Sequence, residues 1–362
     1  MNKCSRIFAI VTAFLCIFGF SGCEDATTKS TTDTGFNIHM IDVGQGDSIL
    51  LECDNTYMLI DAGEVNEGDE VVDYLQENNI NKLDYALITH PHSDHYGGME
   101  TVLKNIETEN IIMSEAINTT RTWESLVDYI DEQDYNVIFP TTNDTFSLGG
   151  CTLTAYVPQI EDDLNNCSIV VRADYNGMSA IFTGDAEKSE ESKIIESDFN
   201  VSANILKVGH HGSSTSTSDN FLEKVNPQLA LISCGENNDY GHPHKETTAK
   251  LEEADITSLR TDKLGDILVS LADNKIKIST DNGYSNELDI NTSSVSTSDE
   301  NDNTENQSAI SDTTYIGNKN SHVFHSSDCS SVNKMSDKNK VYFTSRSEAT
   351  DSGYTPCQSC KP

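Results

Sequence analysis

Short apolar runs punctuated by turn-forming residues dominate the middle of this chain. Residues 36–41, 48–51 and 57–60 are such runs, parted by glycine- and asparagine-bearing breaks, and they predict consecutive short strands. Further strand-like runs fall at 152–156, 168–173, 179–182, 205–208, 229–232, 267–271 and 275–279, with a helix-spaced patch at 123–132 among them. Many strands with interspersed helices predict two packed sheets with helices outside them, over residues 36–290.

The ends read differently. Lys3 and Arg6 precede an apolar stretch at 7–20 that is too short for a comfortable membrane span and matches the core of an export signal. The stretch closes on Phe20-Ser21-Gly22-Cys23, which resembles a bacterial lipobox whose cysteine is acylated, with Phe20 where leucine is usual. The expected product is an exported lipoprotein on the outer face of the membrane, anchored through Cys23, or a secreted protein if the leader is plainly cleaved. Residues 24–35 form a polar tether. Residues 291–313, including Ser296-Thr297-Ser298-Asp299-Glu300-Asn301-Asp302-Asn303, read as a disordered linker, and 314–362 as a separate small module.

The formal net charge of -36 argues against a broad basic face that grips nucleic acid by counterion release. A polyanionic substrate would therefore be held locally, by metal ions. Among ten cysteines, Cys53, Cys151, Cys167 and Cys234 lie in the main domain; they are scattered and no pairing is assigned.

Candidate chemistry concentrates after the apolar run at 86–88. Thr89-His90-Pro91-His92-Ser93-Asp94-His95-Tyr96-Gly97-Gly98 packs four potential metal ligands into six residues at the end of a predicted strand. Alternate side chains of an extended segment share a face, so His90 and His92 can aim at one ion, while Asp94 and His95 reach a second where the chain turns. Gly97 and Gly98 relieve backbone crowding at that turn.

Ordered motifs then carry a resemblance. They are Ile41-Asp42-Val43-Gly44-Gln45-Gly46-Asp47-Ser48, Leu59-Ile60-Asp61-Ala62-Gly63, the His90 loop, Phe182-Thr183-Gly184-Asp185-Ala186-Glu187, and Leu206-Lys207-Val208-Gly209-His210-His211-Gly212-Ser213. Residues 36–290 resemble the metallo-β-lactamase superfamily, and within it the extracellular hydrolase domain of ComEC-type competence proteins. The resemblance implies an α/β four-layer αββα sandwich holding two divalent ions, zinc or manganese. It implies that Asp185 bridges both ions and that His210 or His211 completes the second site with Asp94 and His95. Adjacent histidines on a strand point to opposite faces, so one of the pair is the expected ligand. The Gly212-Ser213 pair is expected to offer backbone N–H groups, with Ser213, to an anionic oxygen.

Many members supply a further histidine to the first ion between the His90 loop and Asp185, and this chain has none there. Asn165-Asn166-Cys167-Ser168 stands near that place; Asn166 is the candidate oxygen ligand, with the Cys167 thiolate as the lesser option. The resemblance also places Gly241-His242-Pro243-His244 near the mouth of the site, His242 to bind substrate and His244 to protonate a leaving group with an imidazole near its ordinary pKa. Asp94, Asp185 and His244 are thus the expected catalytic residues. A metal-bridging hydroxide suits in-line attack on a phosphodiester, and the resemblance favours extracellular DNA as substrate. Hydrolysis of another ester or amide, such as a phosphorylcholine or teichoic-acid ester or a β-lactam, and a non-catalytic surface binding role are the alternatives. No protein partner is implied.

In the tail, His325-x3-Cys329 and Cys357-x2-Cys360 offer a closed tetrahedral zinc set. The Gly353-Tyr354-Thr355-Pro356-Cys357 ending resembles the metal-binding domain of the DNA-repair protein Ada. There a methyl-accepting cysteine stands where this chain has His325, so a structural zinc is expected in place of methyl transfer.

Overall fold

The structure, a computed structural model, describes residues 35–290 and, in the C-terminal segment, 315–319, 322–326, 329, 332, 339–343, 346–357 and 360. The expected export signal with Cys23, nearly all of the tether, and the linker at 291–313 lie outside the described residues. The chain forms two compact units, 1–293 and 294–362, and each is taken by itself.

In the larger unit the strands are β1 (Phe36–Met40), β2 (Ile49–Cys53), β3 (Thr56–Ile60), β4 (Lys82–Ile88), β5 (Glu107–Met113), β6 (Asn136–Ile138), β7 (Thr145–Leu148) and β8 (Cys151–Tyr156). They continue with β9 (Val170–Tyr175), β10 (Met178–Phe182), β11 (Ile205–Lys207), β12 (Leu229–Ile232), β13 (Thr257–Arg260), β14 (Ile267–Ala272), β15 (Lys275–Thr280) and β16 (Ser285–Asp289). One sheet has the order β16-β15-β14-β1-β2-β3-β4-β5-β6, the other β13-β12-β11-β10-β9-β8-β7.

Strand periodicity sorts the apolar residues between two environments. Ile49, Leu51 and Cys53 enter the core between the sheets, while Leu50 joins the outer cluster on the opposite face. Because both faces are covered, β12 is buried at every position and reads as a continuous apolar run, Leu-Ala-Leu-Ile. Helices α1 (Gly68–Glu77), α2 (Ser93–Tyr96), α3 (Met99–Asn105) and α4 (Arg121–Glu132) follow strands of the first sheet, and α1, α3 and α4 cover its outer face through Val71, Leu75, Met99, Val102, Trp123 and Leu126. Helices α5 (Lys188–Glu196), α6 (Asp219–Val225) and α7 (Lys245–Glu253) cover the second through Ile194, Phe221 and Leu251. The result is the αββα sandwich.

Helix α4 shows why such a segment is helical. Trp123, Leu126 and Ile130 recur at helical spacing and are buried, whereas most intervening residues are exposed. It starts two residues earlier than its apolar pattern, at Arg121, because the Thr120 hydroxyl accepts the Trp123 N–H at 3.3 Å and caps the first turn.

Pairs β3/β4 and β10/β11/β12 are parallel, which brings their carboxyl ends to one edge of the sandwich. Asp61, the Thr89–His95 loop, Asp185, the His210-His211 segment and Ser233 all leave those ends. Ligands bind in crevices of this kind.

The smaller unit is a four-stranded sheet of Tyr315–Asn318, Val323–His325, Lys340–Phe343 and Thr355–Pro356, with a short helix at Arg346–Asp351. Phe324, Phe343 and Ala349 form one apolar cluster, and Ile316, Cys329, Val332 and Cys357 another.

Candidate metal centre

Glycine lets the metal loop pack against its neighbours. A Cβ on Gly98 would lie 2.1 Å from the Ala62 carbonyl oxygen, and one on Gly46 2.4 Å from that of Asp94. Backbone there approaches backbone more closely than any side chain allows.

Each buried imidazole has one nitrogen held and one released. His95 Nδ1–H donates to Asp61 Oδ2 at 2.8 Å, and the Asp61 carboxylate also accepts from the Thr89 N–H at 2.8 Å and hydroxyl at 2.7 Å. Asp61 occupies the left-handed region at φ 59, a conformation the surrounding hydrogen bonds must enforce. His211 Nδ1 donates to the Ser233 carbonyl at 3.1 Å, with Asp47 Oδ1 at 3.3 Å. Asp47 in turn accepts from the fully buried Lys207 ammonium at 2.8 Å. Outer partners of this sort fix tautomer and ring orientation for metal ligation.

The released atoms converge. Ligand atoms of Asp94, His95, Asp185 and His211 all lie within 4.8 Å of one another. His95 Nε2 stands 3.3 Å from Asp185 Oδ1, and His211 Nε2 3.3 Å from Asp94 Oδ2. His95 Nε2, Asp185 Oδ1 and His211 Nε2 are buried without a well-formed hydrogen bond, a set of donor atoms well suited to a divalent cation. Beside them His90 Nε2 and His92 Nδ1 face each other at 3.1 Å, while His90 Nδ1 rests 3.2 Å from the Ser168 hydroxyl. That hydroxyl also accepts the Asp185 N–H at 3.0 Å, so Ser168 couples the two halves.

Electrostatics favour cations here. Burial opposes ionisation of Asp185 and Asp94, but the charges of His95 and His211 outweigh it and hold both carboxyls below their ordinary range. Burial likewise opposes charge on His211, yet Asp185 and Asp47 lift it to about 9. The neighbouring carboxylates raise His95 well above its usual value in the same way, against the effect of burial. Burial and the His95 charge push His90 well below its own. In the metal-free chain, protons on His95 and His211 therefore supply positive charge that bound ions would bring.

Several expectations need correction. His210 and His211 lie in a tight turn, both at positive φ (49 and 52), not on a strand. His211 is the one that joins the cluster; His210 Nε2 is 3.7 Å from Asp185 and Nδ1 bonds the Thr215 hydroxyl at 3.2 Å. Asn166 Oδ1 accepts the Glu187 N–H at 3.1 Å and is occupied at the start of α5. The neighbouring Asn165 has a buried Oδ1 with no partner and lines the cavity over the cluster. Cys167 Sγ accepts from the Glu161 N–H at 3.3 Å, and its thiol is pushed up by burial, which fits a loop tie and not a ligand. The Ser213 N–H is spent on His210 O at 2.7 Å, so of that residue's backbone nothing is left for an anion, and its hydroxyl lies 3.0 Å from that of Thr215. His244 accepts the Ser214 N–H at Nδ1 (2.9 Å) and donates from Nε2 to Tyr240 O (3.2 Å), so both nitrogens are engaged in the loop. His242 does line the cavity, and burial with its histidine neighbours lowers its pKa to about 4. It is neutral at pH 7, which suits hydrogen bonding to substrate better than proton donation.

The cavity measures about 350 Å³ and is walled by Gln45, Glu64, Asn118, Thr120, Asn165 and Tyr240 around the cluster. Sequence reasoning missed the orienting pair Asp47 and Lys207, the support from Asp61, the amide Asn165, and Tyr240. The quoted Gly-Gln-Gly-Asp and Asp-Ala-Gly motifs were the available signal for the two aspartates. Among the described residues of the larger unit, Cys53, Cys151, Cys167 and Cys234 are buried and form no disulfide.

In the smaller unit His325, Cys329, Cys357 and Cys360 offer ligand atoms within 4.8 Å of one another. His325 Nδ1 lies 3.5 Å from Cys329 Sγ and 3.9 Å from Cys360 Sγ, and burial lowers its pKa, favouring the neutral, metal-binding form. The donor set fits zinc.

A two-sheet sandwich with histidines and aspartates converging at the carboxyl ends of its strands defines the class, a metal-dependent hydrolase fold. The chain belongs to the metallo-beta-lactamase superfamily, whose family model matches residues 41–236, and the metal binding domain of Ada matches residues 302–362. It is 31% identical over 250 residues to ComE operon protein 3 of Bacillus subtilis (strain 168), covering 64% of this chain and 32% of that protein. It is 30% identical over 240 residues to competence protein ComA of Neisseria gonorrhoeae, covering 65% and 32%. The chain thus spans about a third of the length of these curated relatives. Among solved structures, Igni18, a metallo hydrolase from Ignicoccus hospitalis KIN4/I, is similar at a TM-score of 0.44 and 14% identity, over 65% of this chain and 100% of that one.

Proposed function

We propose that this protein is an exported, lipid-anchored phosphodiesterase that uses two divalent ions to cleave nucleic acid outside the cell. The observation that carries the reading is the convergence of the unpartnered His95 Nε2, Asp185 Oδ1 and His211 Nε2 with Asp94 at the floor of an open polar cavity. Relatedness to ComE operon protein 3 and to competence protein ComA supports nucleic acid as the substrate. Bound ions would supply a water of lowered pKa and neutralise charge on the reacting phosphate.

The chain's own residues prepare that chemistry. His90, His92 and Asn165 would hold one ion and Asp94, His95 and His211 the other, with Asp185 between them. Asp61, Asp47 and Lys207 keep the inner imidazoles in the ligating tautomer. His242, neutral and held near Gln45 at 3.5 Å, is placed to hydrogen-bond a substrate oxygen. The C-terminal module takes a structural zinc and docks nucleic acid.

Incubation of the purified protein with plasmid, single-stranded DNA, bis-p-nitrophenyl phosphate and nitrocefin, with zinc and with manganese, tests the reading. Cleavage of phosphodiesters without nitrocefin turnover is expected. Turnover of nitrocefin alone would move the activity to amide hydrolysis.

A further inference from the structure

The cavity has a chemical asymmetry that the metal cluster does not explain. Among the described residues lining it, none is lysine or arginine, and Glu64 adds negative charge to the wall. A long polyanion bound here could not be gripped along its backbone by ion pairs, so affinity beyond the reacting phosphate needs another source.

Tyr240 is placed to be that source. It is 67% exposed, the most exposed aromatic ring among the described residues of the larger unit, yet it lines the cavity. Its inner face is stacked on His242, with ring centroids 5.6 Å apart and an interplanar angle of 20°. His242 is in turn stacked on His211 at 6.2 Å and 29°. A column of rings therefore runs from solvent to a residue of the cluster, and its outermost face is open. Burial of His242 at the middle of the column, with its Nδ1 beside Gln45, holds the arrangement from below.

We infer that Tyr240 is a stacking platform for a nucleobase next to the scissile linkage, which makes unpaired nucleic acid the substrate form. A base–aromatic stack tolerates any base and needs no charge, but it needs a base free of its own helix. The inference rests on the phosphodiesterase reading and narrows it. Duplex DNA presents no free base face, so single strands and frayed ends are cleaved in preference to closed duplex.

The test compares a short single-stranded oligothymidylate with a strand of equal length carrying abasic spacers beside the cleavable linkage, on wild type, Tyr240→Ala and Tyr240→Phe. Wild type and Tyr240→Phe should favour the base-bearing strand by about tenfold in KM, with kcat little changed, and Tyr240→Ala should lose the preference. A strand containing 2-aminopurine should show fluorescence quenching on binding to the first two proteins and none with Tyr240→Ala. Equal KM for both strands with wild type, or a preference that survives Tyr240→Ala, overturns the platform while leaving phosphodiester cleavage intact. Absence of any phosphodiester cleavage by wild type removes the functional reading and the platform together.

Discussion

Replacing Asp185 by asparagine is expected to lower phosphodiester turnover about a thousandfold, on the order of 4 kcal/mol of transition-state stabilisation, while the fold survives. The side chain is 2% exposed and stands 3.3 Å from His95 Nε2, 3.6 Å from His211 Nε2 and 3.7 Å from His210 Nε2, the central position of the cluster. Asparagine preserves shape and the Asp185 N–H bond to Ser168, and Oδ1 has no protein hydrogen bond to lose. What disappears is the negative charge between the cation sites. Steady-state kinetics with metal analysis of the variant checks this: turnover and bound metal should fall together, with the circular-dichroism spectrum unchanged. Wild-type turnover in the variant would remove Asp185 from the chemistry.

Stripping the metal should make stability fall as pH rises from about 6.5 to about 9, a trend absent from the loaded protein. The folded His211 pKa of about 9 lies above its unfolded value of 6.5. Its contribution is therefore fully present below 6.5 and lost as pH climbs through 9; His95 acts in the same direction. The loss is on the order of 3 kcal/mol from His211, because deprotonation removes one of the charges that offset Asp47, Asp94 and Asp185. Bound cations replace that charge and hold the imidazoles neutral. Denaturant midpoints of chelated and metal-loaded protein across this range measure it. Parallel pH profiles for the two forms would show that the histidine protons are not standing in for metal.

The layers were legible in the sequence because strands buried on both faces announce themselves as apolar runs, and His90, His92, Asp94 and His95 were legible because they are contiguous. What escaped reading depends on local backbone or on distant pairing. A four-residue turn at Leu164–Cys167 decides that Asn165, not Asn166, lines the cavity and keeps an unpartnered oxygen. Left-handed conformations at His210 and His211 defeat a strand-based rule for adjacent side chains. His244 was drawn away by the Ser214 N–H and the Tyr240 carbonyl, contacts invisible in a His-Pro-His triplet. Asp47 and Lys207 are 160 positions apart, and only the packing of the two sheets reveals them as a buried ion pair behind His211.

The central claim is that the His and Asp cluster is a hydrolytic centre run by divalent ions. Titrating zinc or manganese into chelated protein while following bis-p-nitrophenyl phosphate hydrolysis tests it most directly. Activity should be absent without metal, rise as the cluster fills, and vanish again on chelation. Hydrolysis that persists in chelator, or fails to appear with either ion at any occupancy, would contradict it.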